Sequence, residues 1–96
     1  MTAKPWPFDQ PPNGAAITLK KIISGEQPIL FVSHDQEDHG WQFLSGDSFA
    51  ADDSAVIALK EIVELDPTTL PLADLPPGWI ATRRSANAAW ERRERE

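Results

Sequence analysis

The chain has 96 residues, a net charge of −6 and no cysteine. This length suits one domain with a modest core, and the lack of cysteine excludes disulfides, thiolate metal sites and cysteine nucleophiles. Negative charge disfavours binding to nucleic-acid phosphates, and no apolar stretch reaches the length of a membrane span or a secretory signal. We therefore expect a soluble, cytoplasmic protein with neither nucleic acid nor membrane as its partner.

The first fourteen residues contain four prolines, which predict an irregular arm over residues 1–14. Trp6 and Phe8 are expected to attach this arm to the body, because aromatic side chains gain stability from burial. Residues 15–96 are expected to form a single domain.

A short extended segment, Ala15–Ile17, opens that domain. Thr18 is a residue type that caps helices, so a helical turn is predicted over Leu19–Ser24. Gly25 suits the left-handed backbone that ends such a turn.

Two strands and a polar connection follow. Ile29–Ser33 is apolar on both faces and predicts a central strand, while Trp41–Ser45 alternates and places Trp41 and Phe43 on one face. The polar run HDQEDHG between them, ending in glycine, predicts an antiparallel hairpin.

The next segments are a loop over residues 46–54, a strand over Ala55–Leu59 and a short helix over Lys60–Leu65 that Pro67 prevents from continuing. Three further prolines predict an irregular crossing over residues 67–78.

The C-terminal residues predict a final hairpin made of strands Gly78–Arg84 and Ala89–Arg93. A helix is the alternative here, because Ala, Glu and Arg all favour one. We favour the strands.

An internal repeat supports this order. Ile17–Ile23 and Ile57–Val63 share the pattern I-x-L-K-x-I-[IV], so each is expected to carry a strand directly into a short helix. The predicted fold class is α+β: a mostly antiparallel sheet of five or six strands with two short helices on one face.

Both histidines lie in the polar run, beside Asp35 and Asp38. Imidazole and carboxylate are ligands of divalent metals, but the spacing of His34 and His39 suits one face of neither a helix nor a strand. His34 could also act as an acid–base group, although no nucleophile motif or phosphate-binding loop accompanies it. We therefore favour a polar turn, and expect no cofactor, no metal and no enzymatic activity.

Charge and aromatic residues indicate a surface for a protein partner. Residues 33–78 carry ten acids and one base, Lys60, and five arginines crowd the last fourteen residues. The four tryptophans are expected to form the core and its rim, with Trp90 partly exposed. The candidate binding residues are His34, Asp35, Asp38, Trp41, Asp47 and Trp90.

Three motifs carry a family resemblance: VSHD at residues 32–35, GWQFL at 40–44 and LPPGW at 75–79. With them, residues 14–93 resemble a bacterial family of small domains of unknown function, some of whose members are grouped with immunity proteins of polymorphic toxin systems. Relatives carry a tryptophan and a proline where this chain has Thr82 and Ala89. The resemblance implies a binding protein without catalytic residues, with toxin neutralisation as one form.

These observations favour a non-catalytic domain of immunity-protein type whose acidic face binds a basic protein partner, with the chain itself a monomer or weak dimer. Two alternatives stay open at this point. One is a small metal-dependent or histidine-based hydrolase centred on His34, and the other is a structural accessory domain.

Overall fold

The computed structural model describes residues 6–47 and 50–95. Six strands are present: β1 (Ala15–Leu19), β2 (Phe31–His34), β3 (Trp41–Leu44), β4 (Ser54–Ala58), β5 (Trp79–Thr82) and β6 (Glu91–Glu94). The helices are α1 (Lys20–Ile23) and α2 (Leu59–Leu65), with 3-10 helices at Ala51–Asp53 and Pro67–Asp74.

The strands form one sheet in the order β4-β1-β3-β2-β5-β6. The pair β1–β3 is parallel, and the other four pairs are antiparallel. The predicted α+β class with a mostly antiparallel sheet is therefore confirmed. The predicted hairpins β2–β3 and β5–β6 are confirmed as well, which settles the C-terminal residues as strands rather than a helix.

One face of this sheet builds the core. The register places Trp41 beside Ala16 and His34, and Val32 beside Phe43, so these side chains share a face.

The helices cover this face of the sheet. Ile22 of α1, Ile62 of α2 and Leu72 of the long 3-10 helix pack in the same buried cluster. Each fully buried aliphatic or aromatic side chain contributes about 1.5–3 kcal/mol to stability. The opposite face carries exposed Ile17 and Val56.

The repeated sequence pattern corresponds to a repeated structure. β1 runs into α1 and β4 runs into α2, and the two strands are antiparallel neighbours. Leu19 and Leu59 are both buried at the strand-to-helix junctions, as are Ile22 and Ile62 one turn later. The prediction of two strand-into-helix units is confirmed.

The predicted helix cap at Thr18 is wrong. β1 continues to Leu19, and the hydroxyl of Thr18 donates to the carbonyl oxygen of Phe43 at 2.8 Å, inside the sheet. α1 begins one residue later without a side-chain cap. Thr18 lies inside β1, one residue before the N-cap position at Leu19, and only the tertiary structure supplies the strand that its hydroxyl meets. Gly25 has the predicted left-handed backbone, with φ at 85°.

The irregular crossing predicted for residues 67–78 is also wrong over most of its length. Pro67–Asp74 form a 3-10 helix, which the Asp66 side chain caps by accepting from the backbone N–H of Thr68. α2 ends at Leu65, before Pro67, as predicted, and Pro67 starts this 3-10 helix because proline is well tolerated at the first position of a helix. The predicted loop over 46–54 contains the 3-10 turn Ala51–Asp53, and its residues 48 and 49 lie outside the described part.

The arm packs as expected where the structure describes it. Phe8 is buried, and its ring lies 5.3 Å from that of Trp6 and 5.0 Å from that of Trp41. Residues 1–5 of the predicted arm lie outside the described residues.

Candidate functional site

His34 stands at the end of β2 with both ring nitrogens bonded. Its side chain is almost fully buried; Nδ1 lies 2.6 Å from the carbonyl oxygen of Leu75, and Nε2 lies 2.9 Å from Oδ2 of Asp9. Both contacts are to oxygen atoms of the protein, so the His34 ring is held between the segment before β5 and the arm.

Trp41 completes a cluster with these two residues. Its ring stacks on that of His34, with centroids 4.0 Å apart and planes inclined by 13°. Its indole Nε1 donates to Oδ1 of Asp9 at 2.9 Å. One aspartate thus receives a bond from each of two stacked rings. We call Asp9, His34 and Trp41 the histidine cluster.

Electrostatics within this cluster favour an ionised aspartate. Partial burial acts to raise the pKa of Asp9, but the hydrogen bond from Trp41 and the positive charge of His34 outweigh it and hold the pKa below its ordinary value. Sequence reasoning missed Asp9, because it lies in the arm, 25 residues before His34. The neighbouring Phe8 indicated that the arm packs against the domain, but nothing in the sequence indicated which groups would contact the Asp9 carboxylate.

The three motifs of the family resemblance meet at this cluster. His34 belongs to the first and Trp41 to the second. The third supplies the Leu75 carbonyl and the N–H of Gly78, which donates to the main-chain oxygen of His34 at 2.7 Å. Gly78 has φ at 86°, a left-handed conformation that glycine adopts without strain. Three separated stretches therefore build one local structure.

Asp35 lies on the other side of the sheet, since alternate residues of a strand face opposite ways. Its carboxylate accepts from the hydroxyl of Ser33 at 3.0 Å and from the amide of Gln42 at 3.1 Å. The guanidinium of Arg95 also reaches Ser33, at 3.3 Å. Asp35 therefore does not bond His34, whose carboxylate partner is Asp9 of the arm.

The hairpin loop itself is tightly bonded. The N–H of Asp35 donates to the carbonyl of Gly40, and Oδ1 of Asp38 accepts from the N–H of Gly40, each at 2.8 Å. His39 has a left-handed backbone with φ at 59°, and its exposed ring approaches Asp9, with Nδ1 3.7 Å from Oδ2. The loop thus brings the second histidine to the same carboxylate as the first.

A cleft of about 360 Å³ opens beside this loop. It is lined by Ser33–Asp38, Gly78 and Arg95. Asp35 is half-buried, while Glu37 and Asp38 are exposed. Three carboxylates against one guanidinium make this end of the sheet acidic. We call it the acidic cleft.

The predicted binding residues separate in the structure. His34, Asp35 and Asp38 line the acidic cleft, and Trp41 is buried beneath His34 with 1% of its surface exposed. Asp47 is exposed after β3, at the opposite end of the β2–β3 hairpin. Trp90 also lies away from the cleft, with Nε1 donating to the carbonyl of Thr68 at 3.2 Å.

Trp90 belongs to a second cluster, built around a buried arginine. The guanidinium of Arg83 lies 4.1 Å from the centre of the Trp90 ring and 2.6 Å from Oδ2 of Asp66. Its Nε donates to the carbonyl of Ile29 at 3.0 Å. Sequence reasoning grouped Arg83 with the exposed arginines of the C-terminus, and nothing in its local pattern marks it as buried. We call Asp66, Arg83 and Trp90 the arginine cluster.

No family model matches the chain, and no curated protein or solved structure is similar enough to support a relationship. The family resemblance of the three motifs therefore stays a prediction. No helix within residues 6–47 and 50–95 has the length and hydrophobicity that a membrane crossing requires.

Proposed function

We propose that this protein is a non-catalytic domain that binds a basic segment of a partner protein at the acidic cleft. The observation that carries the proposal is the placement of three carboxylates, those of Asp35, Glu37 and Asp38, along one concavity at the end of the sheet. The proposed face is narrower than the sequence suggested, because Asp47 lies at the other end of the hairpin.

The state of His34 supports a binding role over catalysis. A general base needs a free nitrogen within hydrogen-bonding distance of the substrate proton. Both ring nitrogens of His34 face acceptors of the protein, and the ring is stacked on Trp41. The contacts of the His34 ring connect β2 with the arm and with the segment before β5, which is a structural role. We propose no hydrolase activity centred on it.

The rigidity of the cleft also favours binding. Asp35 is fixed by Ser33 and Gln42, and Asp38 by the loop backbone, so these charges are held in place before a partner arrives. Such preorganisation reduces the ordering cost of association. Complementary charge speeds encounter and orients the partner, so a surface rich in Lys or Arg is the chemistry that fits. The family resemblance points to the same kind of role.

Affinity capture with matched variants tests this proposal. Glu37→Lys/Asp38→Asn changes the cleft charge by three and keeps an acceptor for the N–H of Gly40 at position 38. Glu64→Lys/Asp52→Asn makes the same charge change at exposed positions outside the cleft. We expect the wild type and the second variant to retain one stoichiometric partner from the native cytoplasm, and the cleft variant to lose it.

The purified partner then allows the affinities to be compared. The cleft variant should bind at least about tenfold more weakly, a loss of about 1.4 kcal/mol. Equal retention by both variants, or no stoichiometric partner for the wild type, would contradict the proposal.

A further inference from the structure

The histidine cluster and the hairpin loop together bring three metal-binding groups to one point. Oδ2 of Asp9 lies 2.9 Å from Nε2 of His34 and 3.7 Å from Nδ1 of His39. All three donor atoms lie within 4.8 Å of one another, and this is the one such group of three among residues 6–47 and 50–95. We propose that Asp9, His34 and His39 form a binding site for zinc or a similar divalent transition metal.

The donor set and its spacing fit that class of ion. Two imidazoles and a carboxylate are ligands that zinc accepts, at about 2.0–2.2 Å each, which separates tetrahedral donors by roughly 3.3–3.6 Å. The distances from Oδ2 of Asp9 to the two ring nitrogens, 2.9 Å and 3.7 Å, lie on either side of that range. Small side-chain adjustments would therefore make the donors equidistant from one ion.

Two of the three ligands are already oriented by a second layer of hydrogen bonds. The Leu75 carbonyl holds Nδ1 of His34, which directs Nε2 toward the site. The indole of Trp41 holds Oδ1 of Asp9, which leaves Oδ2 for the ion. Bonds of this kind, from the outer atom of a ligand to a carbonyl or a fixed donor, set the orientation and strength of metal ligands.

The third ligand is delivered by the backbone of the loop. His39 is the one described non-glycine residue with positive φ, and the conformation turns its ring toward Asp9. Gln10, next to Asp9 in the arm, donates to the His39 carbonyl at 3.3 Å. The ring of His39 is 55% exposed, so solvent can complete the coordination from that side.

The proposed site differs from the one considered from the sequence, in which Asp35 or Asp38 would supply the carboxylate. Asp35 and Asp38, the neighbouring acids, are bonded elsewhere, and the carboxylate comes from the arm instead. Nε2 of His34 would bind the ion as a neutral nitrogen, with the ring proton on Nδ1 toward the Leu75 carbonyl. His34 also lines the acidic cleft, but Asp9 and His39 do not, and the metal site needs none of the cleft carboxylates, so it does not depend on the proposed function.

Zinc titration of the intact protein tests the proposal. Isothermal calorimetry and thermal melting would be run with ZnCl₂ on the wild type, on His39→Asn and on Glu64→Gln as the control. Asparagine tolerates the left-handed backbone at position 39, so the fold should persist. Glu64 is an exposed acid outside both the triad and the acidic cleft.

We expect saturable one-to-one binding and a zinc-dependent rise in melting temperature for the wild type and the control. Affinity should fall at least tenfold in His39→Asn, and the ¹⁵N resonances of both histidine rings should shift on zinc addition. The proposal would be overturned by wild-type protein that binds no zinc, by equal affinity in His39→Asn, or by a His34 ring whose resonances stay unchanged.

Discussion

Two clusters of similar composition occupy opposite ends of β2. Each joins a buried basic side chain, an aspartate and a tryptophan: His34 with Asp9 and Trp41 at one end, and Arg83 with Asp66 and Trp90 at the other. Arg83 hydrogen-bonds the carbonyls of residues 29 and 30 just before the strand, and His34 ends it. The two ends are thus fixed by the same kind of interaction.

The difference between the clusters lies in the basic side chain. Arginine has a planar group that serves several acceptors at once but binds no metal ion, so the arginine cluster acts as a structural fastening. Histidine is also a metal ligand. The histidine cluster lies where the acidic cleft and the candidate metal ligands are found.

Removal of the buried arginine should have the largest effect. Arg83→Leu removes the guanidinium that donates to the Ile29 carbonyl and to Oδ2 of Asp66, while Oδ1 of Asp66 keeps its bond from Thr68. We expect the free energy of unfolding to fall by about 3–5 kcal/mol in urea denaturation. Arg84→Leu, at the exposed neighbouring position, should change it by no more than about 0.5 kcal/mol. Equal losses in the two variants would show that the arginine cluster is not a fastening.

Removal of the histidine should cost less. His34→Leu keeps an apolar group over Trp41 but removes the contacts of the ring with Oδ2 of Asp9 and with the Leu75 carbonyl, while Oδ1 of Asp9 keeps its bond from Trp41. Because the Asp9 side chain is 37% exposed, water compensates part of the loss, and we expect a destabilisation of about 2 kcal/mol. His39→Asn, measured without metal, serves as the control and should be close to wild type. A His34→Leu variant as stable as the control would contradict the supporting role assigned to His34.

Acidification should produce the smallest of the three effects on stability, and it acts through Asp9 of the histidine cluster. The pKa of Asp9 is lowered in the folded state, so the unfolded chain binds more protons as the pH falls. The stability that Asp9 contributes is present above its unfolded pKa and is lost as pH falls through the lower, folded pKa. Urea denaturation between pH 6 and pH 3 should show a shallower loss of stability for Asp9→Asn than for the wild type. The same dependence of stability on pH in both proteins would show that Asp9 does not contribute to it.

The sequence was informative where local pattern determines structure. The alternation of Trp41 and Phe43, the repeated strand-into-helix pattern and the glycine at position 25 all predicted the observed elements. It was uninformative where a group is satisfied across the chain. Thr18 bonds a neighbouring strand, Asp9 meets a histidine 25 residues away, and Arg83 reaches Ile29 over 54 residues.

The candidate site also has a part that could be predicted from local sequence pattern and a part that could not. The hairpin loop and its acids could be predicted, since polar residues ending in glycine between two strands indicate a turn. The hydrogen-bond partner of each acid could not be predicted, because Asp35 and His34 are adjacent in sequence but face opposite sides of the sheet.

The central claim, that the acidic cleft binds a basic partner, is tested most directly by association kinetics with the purified partner. Rates would be measured for the wild type, Glu37→Lys/Asp38→Asn and Glu64→Lys/Asp52→Asn across a range of salt concentrations. Attraction at the cleft predicts a slower association and a weaker salt dependence for the first variant alone. Equal rates and equal salt dependence for the two variants would contradict it.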